Sequence, residues 1–262
     1  MQPTSTFQFL TERPPFSKRE VDRLGHYYAR MRDDPPGASA QILEWYASLA
    51  EQMRLAATTV IRRALPAHQE ARISSSRRVK SQDTIEPKIR NKNIQLSRMQ
   101  DFAGVRFTLD CHHSELTHVG ETIMEDVRLT GCQAEMRQYL ESSQQGYRAV
   151  HVWISSPAGR VEIQLRTQLQ NDWANTFEYL SDLAGRQIRY DSTYTPDDPL
   201  LERIAESMGQ LSDRIYNLEA HSGAPLPHDL FDERLAIHDA LNEHRIALNN
   251  YRKNLAGGGR KP

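Results

Sequence analysis

Arg77, Arg78, Lys80, Lys88, Arg90 and Lys92 put six cations within sixteen residues of the chain. Guanidinium and ammonium groups at that density suit a polyphosphate, which needs several charge-assisted donors. A solvated basic loop is the plainer alternative, since most charge runs are that. No G-x-x-x-x-G-K-[ST] loop occurs, so a P-loop nucleotide site is excluded. Downstream, Asp101-Phe102-Ala103-Gly104-Val105-Arg106 can set a carboxylate and a guanidinium beside one ligand across a glycine turn.

Such groups need a frame, and alternation supplies one. In Val161-Glu162-Ile163-Gln164-Leu165-Arg166 the apolar residues share one strand face, so Glu162, Gln164 and Arg166 share the other. The same rule groups Tyr147, His151 and Trp153 against Val150, Val152 and Ile154, and sets Arg106 against Val105 and Phe107. A face carrying Glu, Gln, Arg, His and Tyr is either a wet outer surface or the floor of a site. Alternation alone favours the wet surface, because antiparallel sheets often face water.

Around these strands the pattern is helical. A helix fits between Lys18 and Met31, and a long one runs from Ser39, an expected N-cap, to about Leu65, where Pro66 ends it. Ser74 to Asp83 reads as a polar segment. Strands are expected at Gly104–Asp110, Gln133–Tyr139, Arg148–Ile154 and Arg160–Thr167, the last two joined by a turn ending in Gly159. Helices are expected at Ser114–Leu129, Gln168–Ala184, Leu200 to about His221 and Leu230–Leu255, with a break at Gly223–Pro227. The fold class is therefore α+β: a mixed, largely antiparallel sheet flanked by helices, with N- and C-terminal helical extensions.

Thirty-three Lys and Arg balance 34 Asp and Glu, so any site for a polyanion must be local rather than a property of the whole surface. The two cysteines, Cys111 and Cys132, lack metal-ligand spacing and are expected as reduced thiols. No apolar run approaches the roughly 20 residues that cross a bilayer, and Met1–Thr11 lacks the pattern of a signal peptide. A cytoplasmic location, with no membrane partner, is expected.

The motifs together resemble a known family. Arg78-x-Lys80, Thr84-Ile85-x-x-Lys88, Asp101-x-x-Gly104-x-Arg106, Gly146-Tyr147-Arg148-x-x-His151 and Glu162-Ile163-Gln164-Leu165-Arg166-Thr167, followed by Asn171-x-Trp173-Ala174, look like the synthetase domain of RelA/SpoT-type alarmone synthetases. Their order and spacing hold from about Arg77 to Leu183. The resemblance implies a small synthetase without hydrolase, transferring pyrophosphate from ATP to a ribose 3′-hydroxyl. It implies that Arg78 and Arg106 sandwich adenine, that Lys80 and Lys88 hold phosphates, and that Thr84 belongs to the same ATP site. Asp101 and Glu162 would bind Mg²⁺, and Glu162 would also take the proton of the attacking hydroxyl. Tyr147 would stack on the acceptor base, with His151, Gln164, Arg166 and Asn171 orienting the acceptor. The implied division is an N-terminal helical extension (1–73), a synthetase core (74–190), C-terminal helices (191–256) and a disordered tail (257–262).

One departure bears on the acceptor. Family members that use free nucleotides usually carry Pro-Lys and an Asn before Gly-Tyr, whereas Glu141-Ser142-Ser143-Gln144-Gln145 stands here. Missing that lysine, the chain is expected to favour the 3′ CCA end of tRNA, the acceptor of family members that act as growth-arresting toxins. Arg13, Lys18, Arg19, Arg23 and Arg148 are candidate grips for the tRNA phosphates. GDP or GTP, giving (p)ppGpp, is the alternative acceptor, and an adenosine nucleotide comes third. A neutralising antitoxin protein and a homo-oligomer are the further expected partners, and an inactive nucleotide-binding sensor is the rival from another class. His228-Asp229 and His238-Asp239 are expected as caps or surface residues rather than a metal site, and His112-His113 as a loop without partner acids at metal-ligand spacing. Trp45, Tyr46 and Trp173 are expected in the core, and the last helix, with Leu235, Leu241, Ile246 and Leu248, against the domain or a partner.

Overall fold

Ser17 starts the first helix by a reciprocal cap. Its hydroxyl accepts the Glu20 N–H at 3.3 Å, and the Glu20 carboxylate accepts the Ser17 N–H at 2.8 Å. In the computed structural model, which describes residues 5–65, 73–141, 145–220 and 228–257, this opens α1 (Lys18–Tyr28). There follow α2 (Ser39–Ala64), β1 (Ile73–Val79), α3 (Gln82–Lys92), β2 (Ala103–Leu109), α4 (His113–Arg128), β3 (Gln133–Gln138), β4 (Val150–Ser156) and β5 (Gly159–Thr167). The chain ends in α5 (Gln168–Ala184), α6 (Pro199–Ala220) and α7 (His228–Gly257). Among the described residues this is an α+β architecture, a mixed and unclosed five-stranded sheet with helices before and after it in sequence, as expected. No described helix is long and apolar enough to cross a membrane.

Two elements depart from the sequence reading. Ser74 to Asp83 is not one polar segment, for Ile73–Val79 forms edge strand β1 and Gln82 begins α3. The five central residues of β1 are exposed, so no apolar alternation announces it. Ser39 is the first residue of α2 rather than its cap, and its hydroxyl donates to the Pro36 carbonyl at 2.5 Å. Pro66 and the break at 223–227 lie outside the described residues.

The chain divides into two units. The first holds residues 1–109, 117–137 and 150–165, and so nearly all of the sheet, in the order β1-β2-β5-β4-β3. Its core is the apolar sheet face expected from alternation: Val105, Phe107, Leu109, Val150, Val152, Ile154, Val161, Ile163 and Leu165 are all buried. Helix α2 adds Ile42, Tyr46, Leu49, Met53, Val60 and Ile61 to the buried set.

The second unit holds residues 110–116, 138–149 and 166–262. Thr167 ends β5 and caps α5 through a second reciprocal box with Gln170, so strand passes into helix without a loop. Trp173 and Leu180 of α5 share a core with Ile204, Met208, Leu211 and Ile215 of α6 and with Leu241 and Leu248 of α7. On α7, Leu241 and Leu248 pack against the domain, while Leu235 and Ile246 are exposed. Glu219, buried, accepts from Thr167 Oγ1 at 2.5 Å and Gln170 Nε2 at 2.9 Å, and lies 3.2 Å from His113 Nε2. His113 therefore has an acid partner, 106 positions away, which no local spacing could reveal.

Candidate functional site

Strand register decides which side chains share a surface. In the β1–β2 pair Ser76 faces Arg106 and Arg78 faces Gly104, so Arg78 and Arg106 stand on one sheet face as diagonal neighbours. Such neighbours lie roughly 7–8 Å apart, within reach of long side chains. In the β4–β5 pair His151 faces Gln164 and Trp153 faces Glu162. Arg106 Nε donates to Gln164 Oε1 at 3.4 Å, which joins the two pairs on a single face. Gly104 interrupts that face. A β carbon added there would meet only the Glu162 carbonyl oxygen, at an ordinary 3.8 Å. Neither packing nor a positive φ requires glycine at this position. Its effect is to leave the sheet face clear between Arg78 and Glu162.

The basic segment is split between a strand end and a helix. Lys80, just past β1, is tied by its N–H to the Phe102 carbonyl, just before β2, at 2.8 Å. Helix α3 carries Thr84 and, one turn on, Lys88. Both ammonium groups converge on Asp101 Oδ2, at 2.5 Å from Lys80 and 2.8 Å from Lys88. Burial would raise the Asp101 carboxyl, but the two lysines outweigh it and hold it below the usual range. Burial lowers the Lys80 ammonium, and Lys88 and Arg78 add to that against the opposing pull of Asp101. The Thr84 hydroxyl donates to Ser81 within the first turn of its own helix, and Arg78 is exposed.

Glu162 is the second acidic centre. His151 Nδ1 lies 2.9 Å from its Oε1, Trp153 Nε1 donates to the same oxygen at 3.0 Å, and Gln164 Nε2 donates to Oε2 at 2.8 Å. Burial and the Asp101 charge push this carboxyl up, but the bonds and charge of His151 and the bond from Gln164 prevail and keep it low. The expectation of a wet outer face is overturned here: Glu162 is 7% exposed and His151 8%. Burying a carboxylate is costly without this set of donors, so the face is a built polar surface. Trp153 is the member that sequence reasoning grouped with His151 but gave no role.

In the second unit Gly146 precedes Tyr147 at φ 81°, where a β carbon would come within 2.7 Å of Trp173 Cζ2. Tyr147 has the Arg166 guanidinium 4.9 Å from its ring centre, and Arg166 Nη2 donates to its hydroxyl at 2.8 Å. One face of the ring is thus backed by a cation. Asn171 lies half-buried in the first turn of α5. Arg148 is no grip for an external phosphate. It is 5% exposed, donates to Ser212, Leu140 and Asp213, and stacks on Tyr216. Residues 142–144, which carry the departure before Gly146, lie outside the described residues.

The Asp101 charge bears on Glu162, and carboxylates are the oxygen donors that Mg²⁺ would take together with substrate oxygens. Among the described residues no group of three or more His, Cys, Asp and Glu forms a ready cage, so substrate oxygens would have to complete the shell.

Residues 77–182 match a family described as a region found in RelA/SpoT proteins. An uncharacterized protein of Mycobacterium tuberculosis is 40% identical over 188 residues, a match covering 70% of this chain and 65% of that protein. An uncharacterized protein of Mycobacterium bovis matches to the same extent. Among solved structures, the small alarmone synthetase 2 of Bacillus subtilis is similar over 70% of this chain and 94% of its own, at 19% identity and a TM-score of 0.53. A GTP pyrophosphokinase family protein of Streptococcus pneumoniae is similar over 77% and 95%, at 18% identity and a TM-score of 0.50. At such identities these two structures speak to the fold.

Proposed function

We propose, from the premise that the chain belongs to the RelA/SpoT family through residues 77–182, that it transfers pyrophosphate from ATP to a ribose 3′-hydroxyl. The observation that carries this is the one sheet face on which Arg78, Arg106 and Glu162 stand, beside a carboxylate bridged by two lysines. Among the described residues Lys80 and Lys88 share the Asp101 carboxylate, and an entering triphosphate offers them more charge than one carboxylate does. Arg78 and Arg106 present guanidinium planes across the gap at Gly104, a surface suited to a flat base. Glu162, kept ionised by its donors, accepts the proton of the hydroxyl as its oxygen attacks the β-phosphorus. The bond from that phosphorus to the α-phosphate oxygen breaks, and AMP leaves. Asp101 and Glu162 would hold Mg²⁺, which supplies charge neutralisation to the phosphates. Transfer of this kind depends on positioning and charge more than on a covalent nucleophile. In the second unit Tyr147, steadied by Arg166, offers its ring to the acceptor base, and Asn171 serves the same substrate.

For the acceptor we favour the 3′ end of tRNA, on the strength of Ser143 standing where nucleotide-using relatives have lysine. Expression would then arrest translation, and a neutralising partner protein would be expected. The test offers γ-³²P-ATP and Mg²⁺ to the protein with bulk tRNA, GDP, GTP or AMP in parallel. Label on tRNA that vanishes when the terminal adenosine is removed supports the proposal. Label on GDP or GTP with none on tRNA refutes the acceptor and keeps the reaction.

A further inference from the structure

The two oxygens of Glu162 are not equivalent, and Trp153 makes the difference. Oε1 is met by both His151 and Trp153, whereas Oε2 accepts the Gln164 amide. A carboxylate oxygen offers about two good lone-pair directions, so Oε1 is filled and Oε2 keeps one. Resting on the function proposed above, we infer that Trp153 is a positioning residue: it pins Oε1 and leaves Oε2 as the oxygen that meets the metal or the acceptor's proton.

Three features suit Trp153 to this task. Indole nitrogen is a donor only, so unlike an amide it cannot turn and present an acceptor. Trp153 stands directly opposite Glu162 in the β4–β5 register, so the strand pairing itself sets the approach. Its ring is braced from β3 by Arg137, whose guanidinium lies 5.3 Å from the ring centre and is itself paired with Glu135 at 2.5 Å. By contrast Gln164 reaches Oε2 through an amide, which can turn, and its contact with Arg106 is long, at 3.4 Å.

Trp153→Phe keeps an aromatic ring beside Arg137 and deletes the N–H together with the five-membered ring that carries it. It should lower kcat about tenfold or more, the scale of a lost hydrogen bond to a charged group, while the KM for ATP stays within about twofold. An activity-independent readout comes from the indole N–H signals of the three tryptophans in ¹H–¹⁵N spectra, with that of Trp153 assigned by its loss in Trp153→Phe. Glu162→Gln should move the Trp153 signal and leave those of Trp45 and Trp173 in place. Adding Mg²⁺ with a non-hydrolysable ATP analogue to the wild-type protein should keep the Trp153 signal away from its Glu162→Gln position. A Trp153 signal indifferent to Glu162→Gln, or one that moves to that position with Mg²⁺ and the analogue, overturns the assignment, as does an unchanged kcat in Trp153→Phe. If Trp153→Phe misfolds, the Trp153 signal is assigned by elimination from Trp45→Phe and Trp173→Phe, and the spectra still decide the matter. A wild-type protein that transfers no pyrophosphate would defeat the reading of function, while the spectra would still decide which oxygen is held.

Discussion

Two buried glutamates, one in each unit, have matching sets of three partners and opposite consequences. Glu162 lies among His151, Trp153 and Gln164, and Glu219 among His113, Thr167 and Gln170. Each set offsets the cost of burying a carboxylate. The difference lies in what else bears on the charge. Around Glu162 the partners come from paired strands, and the charge of a second acid, Asp101, opposes them. Around Glu219 the partners are the cap of α5 and the first residue of α4, so the carboxylate ties element ends together. Satisfied hydrogen bonds alone therefore do not mark a site. A satisfied acid facing another charge on a common surface does.

Substitution should separate the two sharply. Glu162→Gln, which keeps shape and removes charge, should cut transfer by about 10²-fold or more, as expected when a charge-stabilising group is lost, and leave the fold intact. Glu219→Ala should do the reverse. It strands three buried partners and should cost about 2–4 kcal/mol in urea unfolding, with kcat per folded molecule preserved. If Glu219→Ala silences a stably folded protein, the contrast between the two acids is wrong.

Smaller effects sharpen the same contrast. Lys80→Ala and Lys88→Ala should each weaken binding of a non-hydrolysable ATP analogue about tenfold by calorimetry, the size of a charge-assisted contact. Tyr147→Ala should spare that binding and raise the acceptor KM about tenfold, since base–aromatic stacking is worth roughly 1–3 kcal/mol. Tyr147→Phe should retain most function, as only the bond from Arg166 is lost. Acid should act gently. The Asp101 and Glu162 carboxyls sit below their ordinary values when folded, so their contribution to stability is present above the ordinary carboxylate range. It is lost as pH falls below that range and through the folded values. Asp101→Asn should flatten that acid loss in a series of unfolding curves; an unchanged slope would show that the lysine pair does not hold the carboxyl down.

Much of this was legible in the sequence because it follows from period and order. The apolar residues of β2, β4 and β5 alternate, and the bounds of α5 come directly from its helical spacing between Thr167 and Gly185. What escaped is two-dimensional. β1 is an edge strand with an exposed middle, so Ser74, Ser75 and Ser76 carry no signature of pairing. The burial of Glu162 and His151 depends on donors brought across by register, and period-2 patterning cannot tell a satisfied polar face from a wet one. Arg148 looked like a surface cation because Ser212 and Asp213, its partners, stand more than sixty residues away. The motif residues could be placed in order by resemblance, yet Trp153 lies outside every motif, and only the geometry gives it a partner.

The most direct test of the central claim is the balance of products with ATP, Mg²⁺ and bulk tRNA or guanosine nucleotide as acceptor. The account requires one AMP released for each pyrophosphate found on a ribose 3′-hydroxyl, with both falling together by about 10²-fold in Glu162→Gln. ATP binding that leads to no AMP with any of these acceptors would contradict it and make the chain a nucleotide-binding sensor.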